Sequence, residues 1–213
     1  MKIGVIGASG ATGGIVVARL VKAGHDVRAM VRNAKAASGP PAADVEIATL
    51  DLTGSDEQAA QSMSGLDAVI NAAAARSSDG GQARAVDRDG VKSAIDAART
   101  AGVTRWIQIS MWGSDDPQRL PAMLRETADA KRAADDHLAA SGMAWTVVRP
   151  PWLTDSPADD RIVVGAQVEE GSLSREDLAA VAVACLDLDS TNDRVFEVTG
   201  GGEQSVRDAL ASL

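Results

Sequence analysis

Glycines at positions 7, 10 and 13 follow an apolar run, Ile3 to Ile6, and open a stretch with helical spacing that ends at Gly24. Each glycine has a separate physical task. Gly7 permits a sharp turn off a strand. Gly10 lets backbone approach a ligand with no Cβ in the way, and Gly13 lets the helix pack close against the strand. The helix that follows offers unpaired N–H groups and the positive end of its dipole. Together these groups suit a diphosphate. Placed between a strand and a helix, Gly7, Ser9, Gly10, Ala11, Thr12 and Gly13 read as a dinucleotide-binding turn.

A second residue selects among dinucleotides. Chains that bind NAD usually end their second strand on Asp or Glu, which holds the ribose 2′-hydroxyl. Here the second strand, Val27 to Val31, runs into Arg32 and Asn33, with no carboxylate at its end. A guanidinium fork matches a 2′-phosphate, and Ser9 and Lys35 are placed to add contacts. NADP(H) is therefore the expected cofactor, with NAD(H) less favoured.

The elements that must hold these groups alternate along the whole chain. Strands are expected at 3–6, 27–31, 45–50, 68–72, 106–110, 145–148 and 195–199, with a short extra one at 162–164. Helices are expected at 13–23, from Ser55 with Gln58 at the capping-box spacing, and at 82–101, 121–141, 175–186 and 203–212. Residues 33–44 and 76–81 read as connections. Nearly continuous apolar strands imply a sheet covered on both faces. The expected fold is α/β: a doubly wound, mostly parallel sheet in a single domain over 1–213. Too few residues follow the sixth strand for a separate substrate domain, so 150–172 is expected to form a small lid.

Composition narrows the function further. The net charge of −9, from 21 basic and 30 acidic residues, excludes a polyanionic nucleic acid as the main ligand. Cys185 is the one cysteine, so no intrachain disulfide forms. It lies in an apolar helical run and reads as a small core residue. No apolar stretch approaches the ~20 residues that span a membrane, and no leader is recognised at the start. A cytoplasmic protein without a membrane partner is expected. His25 and His137 stand apart from any nucleophile, and no spacing suggests a metal site. A monomer or a homodimer is expected, the latter through the Ala-rich 121–141 helix.

Six segments together carry a resemblance: the turn at 7–13, Val31-Arg32-Asn33, Asp51-Leu52-Thr53, Asp67 to Ala72, Trp145 to Pro150, and Gly171 to Ala179. They resemble the atypical short-chain dehydrogenases, of the NAD(P)H-binding, NmrA-like and biliverdin-IXβ-reductase-like kind. The resemblance implies that Asp51 and Leu52 flank the adenine. It implies that Ala72 and Ala73 line the ribose path, and that Pro150, Trp152 and Leu153 border the nicotinamide amide. It also implies a catalytic serine at Ser110 and, at Lys131, the lysine that holds the nicotinamide ribose.

The chain departs from that family at one place. The wider family passes its proton through Tyr-x-x-x-Lys, where the lysine lowers the tyrosine pKa. Four residues before Lys131 stands Thr127, and the chain contains no tyrosine. A threonine hydroxyl is far too weak an acid to replace it. Hydride transfer to a flavin, quinone or linear tetrapyrrole needs no such partner, because the proton can come from water. Met111, Trp112, Met123 and Trp152 fall around the expected nicotinamide position and would wall a flat ring system. Trp106 and Trp145 begin buried strands and read as core. Three functions follow: an NADPH-dependent reductase of a small conjugated acceptor, a non-catalytic NADP(H) sensor, or an isomerase or dehydrogenase whose acid–base group, such as Asp115, comes from elsewhere.

Overall fold

The computed structural model describes residues 1–33, 45–75 and 82–213. Lys35 and the rest of 34–44, which is the expected 33–44 connection beyond Asn33, lie outside the described residues, as does the 76–81 connection. Strand β1 (Lys2–Ile6) leads into helix α1 (Ala11–Lys22), then β2 (Asp26–Val31), β3 (Val45–Thr49) and α2 (Asp56–Met63). The chain continues through β4 (Ala68–Asn71), a π-helical stretch (Arg84–Gly90), α3 (Val91–Thr100), β5 (Arg105–Ile109) and α4 (Ala122–Ala139). It ends with β6 (Ala144–Arg149), β7 (Trp152–Thr154), β8 (Ile162–Gly165), β9 (Ser172–Ser174), α5 (Arg175–Ala184), β10 (Arg194–Gly200) and α6 (Val206–Ala211).

Among the described residues the main sheet runs β3-β2-β1-β4-β5-β6-β10-β8. Neighbours are parallel except β8, which lies antiparallel to β10. Strand side chains alternate between two cores, as a two-residue period demands. Ile3 and Val5 join Val16 and Leu20 of α1, Leu178 and Val181 of α5, and Leu210 of α6. Ile6, Val69 and Trp106 face the other way, onto Met63 of α2, Ile95 of α3 and Leu138 of α4. Both faces are thus covered, and the fold is the expected doubly wound Rossmann-type domain.

Local sequence explains where the helices begin. The Ser55 hydroxyl accepts the Gln58 N–H at 3.4 Å, and the Ser174 hydroxyl accepts the Asp177 N–H at 2.9 Å. These caps satisfy amides that have no intrahelical acceptor. Cys185 is buried, and burial pushes its thiol up to about 12, so it is an inert core residue.

Two features depart from the sequence pattern. The expected helix 82–101 is divided: Arg84–Gly90 winds as a π-helix, and only from Val91 does it become α-helical. The segment after β6 contains β7 and β9, which pair in parallel as a separate two-stranded sheet. Strands of three residues are too short to leave a period.

The sheet order reverses between β1 and β4. The chain builds outward to β2 and β3, then returns to start β4 on the other side of β1. Connections from the two strands leave in opposite directions there, which opens a crevice at the carboxyl ends. Close approaches shape that crevice. Gly7 has φ +78°, and a Cβ on it would lie 2.8 Å from the Ala73 backbone. A Cβ on Gly13 would collide with the Gly7 carbonyl, whereas one on Gly14 would have only an ordinary contact, 3.6 Å from Ala8 O. Gly13→Ala is therefore expected to cost about 1–3 kcal/mol by overpacking. Gly14→Ala, on an exposed helix face, should be neutral or gain up to about 1 kcal/mol. Urea denaturation of both ligand-free variants checks the contrast.

Candidate functional site

The crevice holds a cavity of about 670 Å³, within the range of small-molecule sites. Its floor comes from the first turn. Gly10 caps α1 in extended conformation with no side-chain hydrogen bond at the cap. The Gly10 N–H turns back to Gly7 O at 2.8 Å, and the N–H groups of Gly7 and Ala8 bond Met30 O. First-turn amides of α1 have no carbonyl within the helix to meet. Gly7, Ser9, Gly10, Ala11 and Thr12 all line the cavity, while Gly13 sits behind it.

The adjoining wall comes from the ends of β2 and β3. Arg32, Asp51 and Leu52 line the cavity. Asp51 accepts the Thr53 N–H at 2.9 Å and the Thr53 hydroxyl at 2.8 Å. These bonds, with Arg32 nearby, hold its carboxyl below the usual range, so it is ionised at neutral pH. Thr53 also lines the cavity.

The far wall is the turn after β4, where Ala72 and Ala73 line the cavity together with Ala74 and Ala75. Two buried polar side chains fix this turn. Asn71 accepts the Ala73 N–H at 3.1 Å and donates to Gln108 Oε1, which also accepts the Trp106 indole N–H. Asp87, turned inward on the π-helix, accepts the Ala75 N–H at 3.3 Å. Short π-helical stretches often occur at functional sites. Leu153 on β7 and Arg175 at the start of α5 close the cavity from the side of the 150–172 segment.

Ser110 and Lys131 do not line the cavity; they belong to a buried charge chain beside it. Lys131 Nζ lies 3.2 Å from Asp87 Oδ1, and both residues are buried. One turn along α4, Asp135 Oδ2 accepts the Ser110 hydroxyl at 2.7 Å and Arg149 Nη2 at 3.1 Å. Burial pushes the Asp135 carboxyl up to about 6, against the pull of Arg149 and Ser110. Its Oδ1 is buried with no hydrogen-bond partner among the described residues.

The expected aromatic wall is corrected at Trp112. Its indole N–H donates to Val168 O at 3.0 Å, and Arg119 stacks on its ring at 4.4 Å. It packs with Leu120, Ala128 and Val168 in a small separate core, with Met111 against it. Pro150 is buried and gives its carbonyl to the Trp112 N–H. Trp152 is 55% exposed, with its indole N–H on Glu170 at 2.7 Å. Met123 is 84% exposed on α4. Asp115 accepts from Gln167 at 3.4 Å and does not line the cavity. Trp106 is fully buried, and Trp145 packs against the same core. Among the described residues no cluster of His, Cys, Asp and Glu could hold a metal, and no helix is long and apolar enough to cross a membrane.

A glycine turn under a helix N-terminus, at the reversal point of a parallel sheet, is the geometry of a dinucleotide site. The model of the NAD(P)H-binding family matches residues 7–189. The chain belongs to this family. It is an atypical short-chain dehydrogenase of the NmrA-like kind, in a family of oxidoreductases and epimerases. It is 34% identical to the uncharacterized sugar epimerase YhfK of Bacillus subtilis, over the full length of both chains. It matches a putative NAD-dependent epimerase/dehydratase from Bacillus halodurans with TM-score 0.91 and 29% identity, covering 100% of each chain. It also matches the oxidoreductase ylbE from Lactococcus lactis with TM-score 0.90 and 26% identity, covering 100% of this chain and 96% of that one.

Two measurements test the charge chain in this NAD(P)H-binding fold. Asp135→Ala leaves Arg149 buried without its partner and should cost about 3–5 kcal/mol in denaturant unfolding. The pH dependence has a definite sign. The Asp135 pKa is raised, so the folded chain keeps this proton between pH about 4 and 6, where the unfolded chain loses it. Its stabilising contribution is present below that window and is lost as pH rises through it. The stability difference between the native chain and Asp135→Asn should shrink from pH 4 to 6 and stay level above. A difference that is flat across the window contradicts the assignment.

Proposed function

We propose that this chain is an NADPH-dependent reductase of a small conjugated acceptor, such as a flavin or quinone. The observation that carries the cofactor preference is Arg32. It lines the cavity at the end of β2, where an NAD-selective chain would present a carboxylate. The guanidinium would take the 2′-phosphate, with Ser9 and Thr53 beside it. Asp51 and Leu52 would flank the adenine, and the amides of Ala11 and Thr12 would meet the diphosphate. Ala72 and Ala73 would follow the ribose. Lys131, tied through Asp87 to Ala75 at the cavity wall, would bound the nicotinamide ribose. Leu153, with Pro150 and Trp152, would border the nicotinamide ring, and the 150–172 segment would act as a lid over the acceptor.

NADPH, when bound, supplies the hydride. The protein's part is to hold the ring, exclude water and leave one face open to a flat acceptor. The missing tyrosine favours acceptors whose reduced form takes its proton from water. It disfavours epimerisation or alcohol dehydrogenation, where a positioned group must move the proton.

One observation favours a second reading, a non-catalytic NADP(H) sensor. The Ser110 hydroxyl and the Lys131 amine are both engaged, with Asp135 and Asp87. Comparable affinity for NADP and NADPH, no turnover, and cofactor-dependent binding of a partner protein would select the sensor.

Arg32→Ala should weaken NADPH binding about tenfold to a hundredfold and NADH binding little, as expected for one charge-assisted phosphate contact. Fluorescence titration with both cofactors checks this, and equal losses refute the preference. Stopped-flow mixing with flavins, quinones and linear tetrapyrroles should show NADPH oxidation with at least one of them. No oxidation across that set refutes the reductase.

A further inference from the structure

Among the described residues the cavity lining has two arginines, Arg32 and Arg175, and they arrive from different places. Arg32 ends β2, beside the ionised Asp51. Arg175 is the first residue of α5, and its neighbour Glu176 is ion-paired with Arg19 of α1 at 3.0 Å. The start of α5 therefore lies against the helix whose first turn forms the cavity floor. A dinucleotide with a 2′-phosphate carries two separate anionic groups, and Arg32 accounts for one of them.

Arg175 already holds an anion of the protein's own. Its Nη1 donates to Asp155 Oδ1 at 2.7 Å. The pairing follows from the β7–β9 ribbon: Thr154 is in register with Ser174, so the next residues on each strand, Asp155 and Arg175, meet. The pair is unequal. The Arg175 side chain is 25% exposed, whereas that of Asp155 is 88% exposed. An ion pair with one partner almost wholly in solvent is weak, because water screens it and the side chain loses freedom to make it. A diphosphate inside the cavity offers more charge and a bidentate fit to guanidinium.

We propose that Arg175 is an exchangeable arm for the cofactor diphosphate: it leaves Asp155 and turns to the diphosphate when the dinucleotide binds. Asp155 is then an internal competitor for the guanidinium, held outside the cavity lining. Exchange draws the β9–α5 junction toward the cavity floor and releases the chain just after β7. The rest of that segment stays pinned, since the N–H groups of Asp159 and Asp160 bond the buried Asp177 carboxylate. The inference rests on the dinucleotide occupying this cavity.

The test is calorimetric titration of the full chain with NADPH and, separately, with adenosine 2′-monophosphate, which has the 2′-phosphate but no diphosphate. Arg175→Ala should weaken NADPH about tenfold or more and leave adenosine 2′-monophosphate unchanged. Arg175→Lys, which keeps the charge, should recover part of the loss. Asp155→Asn should tighten NADPH about two- to fivefold by removing the competitor. Asp155→Asn combined with Arg175→Ala should match Arg175→Ala alone. If the native chain binds no dinucleotide, the functional reading falls and the inference with it. If the native chain binds NADPH and Arg175→Ala binds it equally well, only the inference falls. Equal losses for both ligands, or weaker NADPH binding by Asp155→Asn, also overturn it.

Discussion

Helix α1 leaves β1 at a distance that only a bare Cα permits. Position 13 rests on the Gly7 carbonyl, and position 7 in turn rests on the Ala73 backbone. These two contacts join the turn after β1 to the turn after β4, the two lips of the crevice. The cavity floor and its far wall depend on that spacing. Were α1 to stand off by the width of a methyl group, its first-turn amides would no longer face the space between the lips. The Asn71–Gln108–Trp106 hydrogen bonds act from the other side, since they hold the Ala73 amide where Gly7 needs it.

Beside this apolar and backbone-built floor lies a buried line of alternating charge: Asp87, Lys131, Asp135 and Arg149. It joins the π-helix, α4 and the end of β6, and Ser110 hangs from it. Such a line is costly to bury, and each member is tolerable only because its neighbours are present. Lys131 and Ser110 both face carboxylates of the chain's own, Asp87 and Asp135.

The parts of this arrangement that could be read from sequence are those with local causes. Gly7, Gly10 and Gly13 answer to one turn, and Arg32 to the end of one strand, so spacing alone located them. The main strands and most helices were legible because each carries its own period. Asn71, Asp87 and Asp135 carried no such signal. Asn71 meets a partner 37 residues away, and Asp87 is buried on a stretch wound as a π-helix, which shifts the helical period. Trp112 was misplaced for a related reason. An aromatic residue after a strand looks the same whether it faces a ligand or a core. The Val168 carbonyl, 56 residues away, and Arg119, beyond the intervening turn, decide between them. Arg175 depends on the pairing of two three-residue strands, which no periodicity can reveal.

The small β7–β9 ribbon separates two demands that usually conflict. Of the residues between its strands, Ile162 and Val168 are the buried apolar ones, and they belong to different cores. The remainder of this stretch is largely exposed and polar, so exchanging its side chains removes little packing. The dinucleotide turn, by contrast, admits almost no change, because its glycines touch backbone. A fold divided in this way can alter what it accepts beside the cofactor while conserving how it holds the cofactor. Descendants of one such chain can therefore diverge in substrate at little cost in stability.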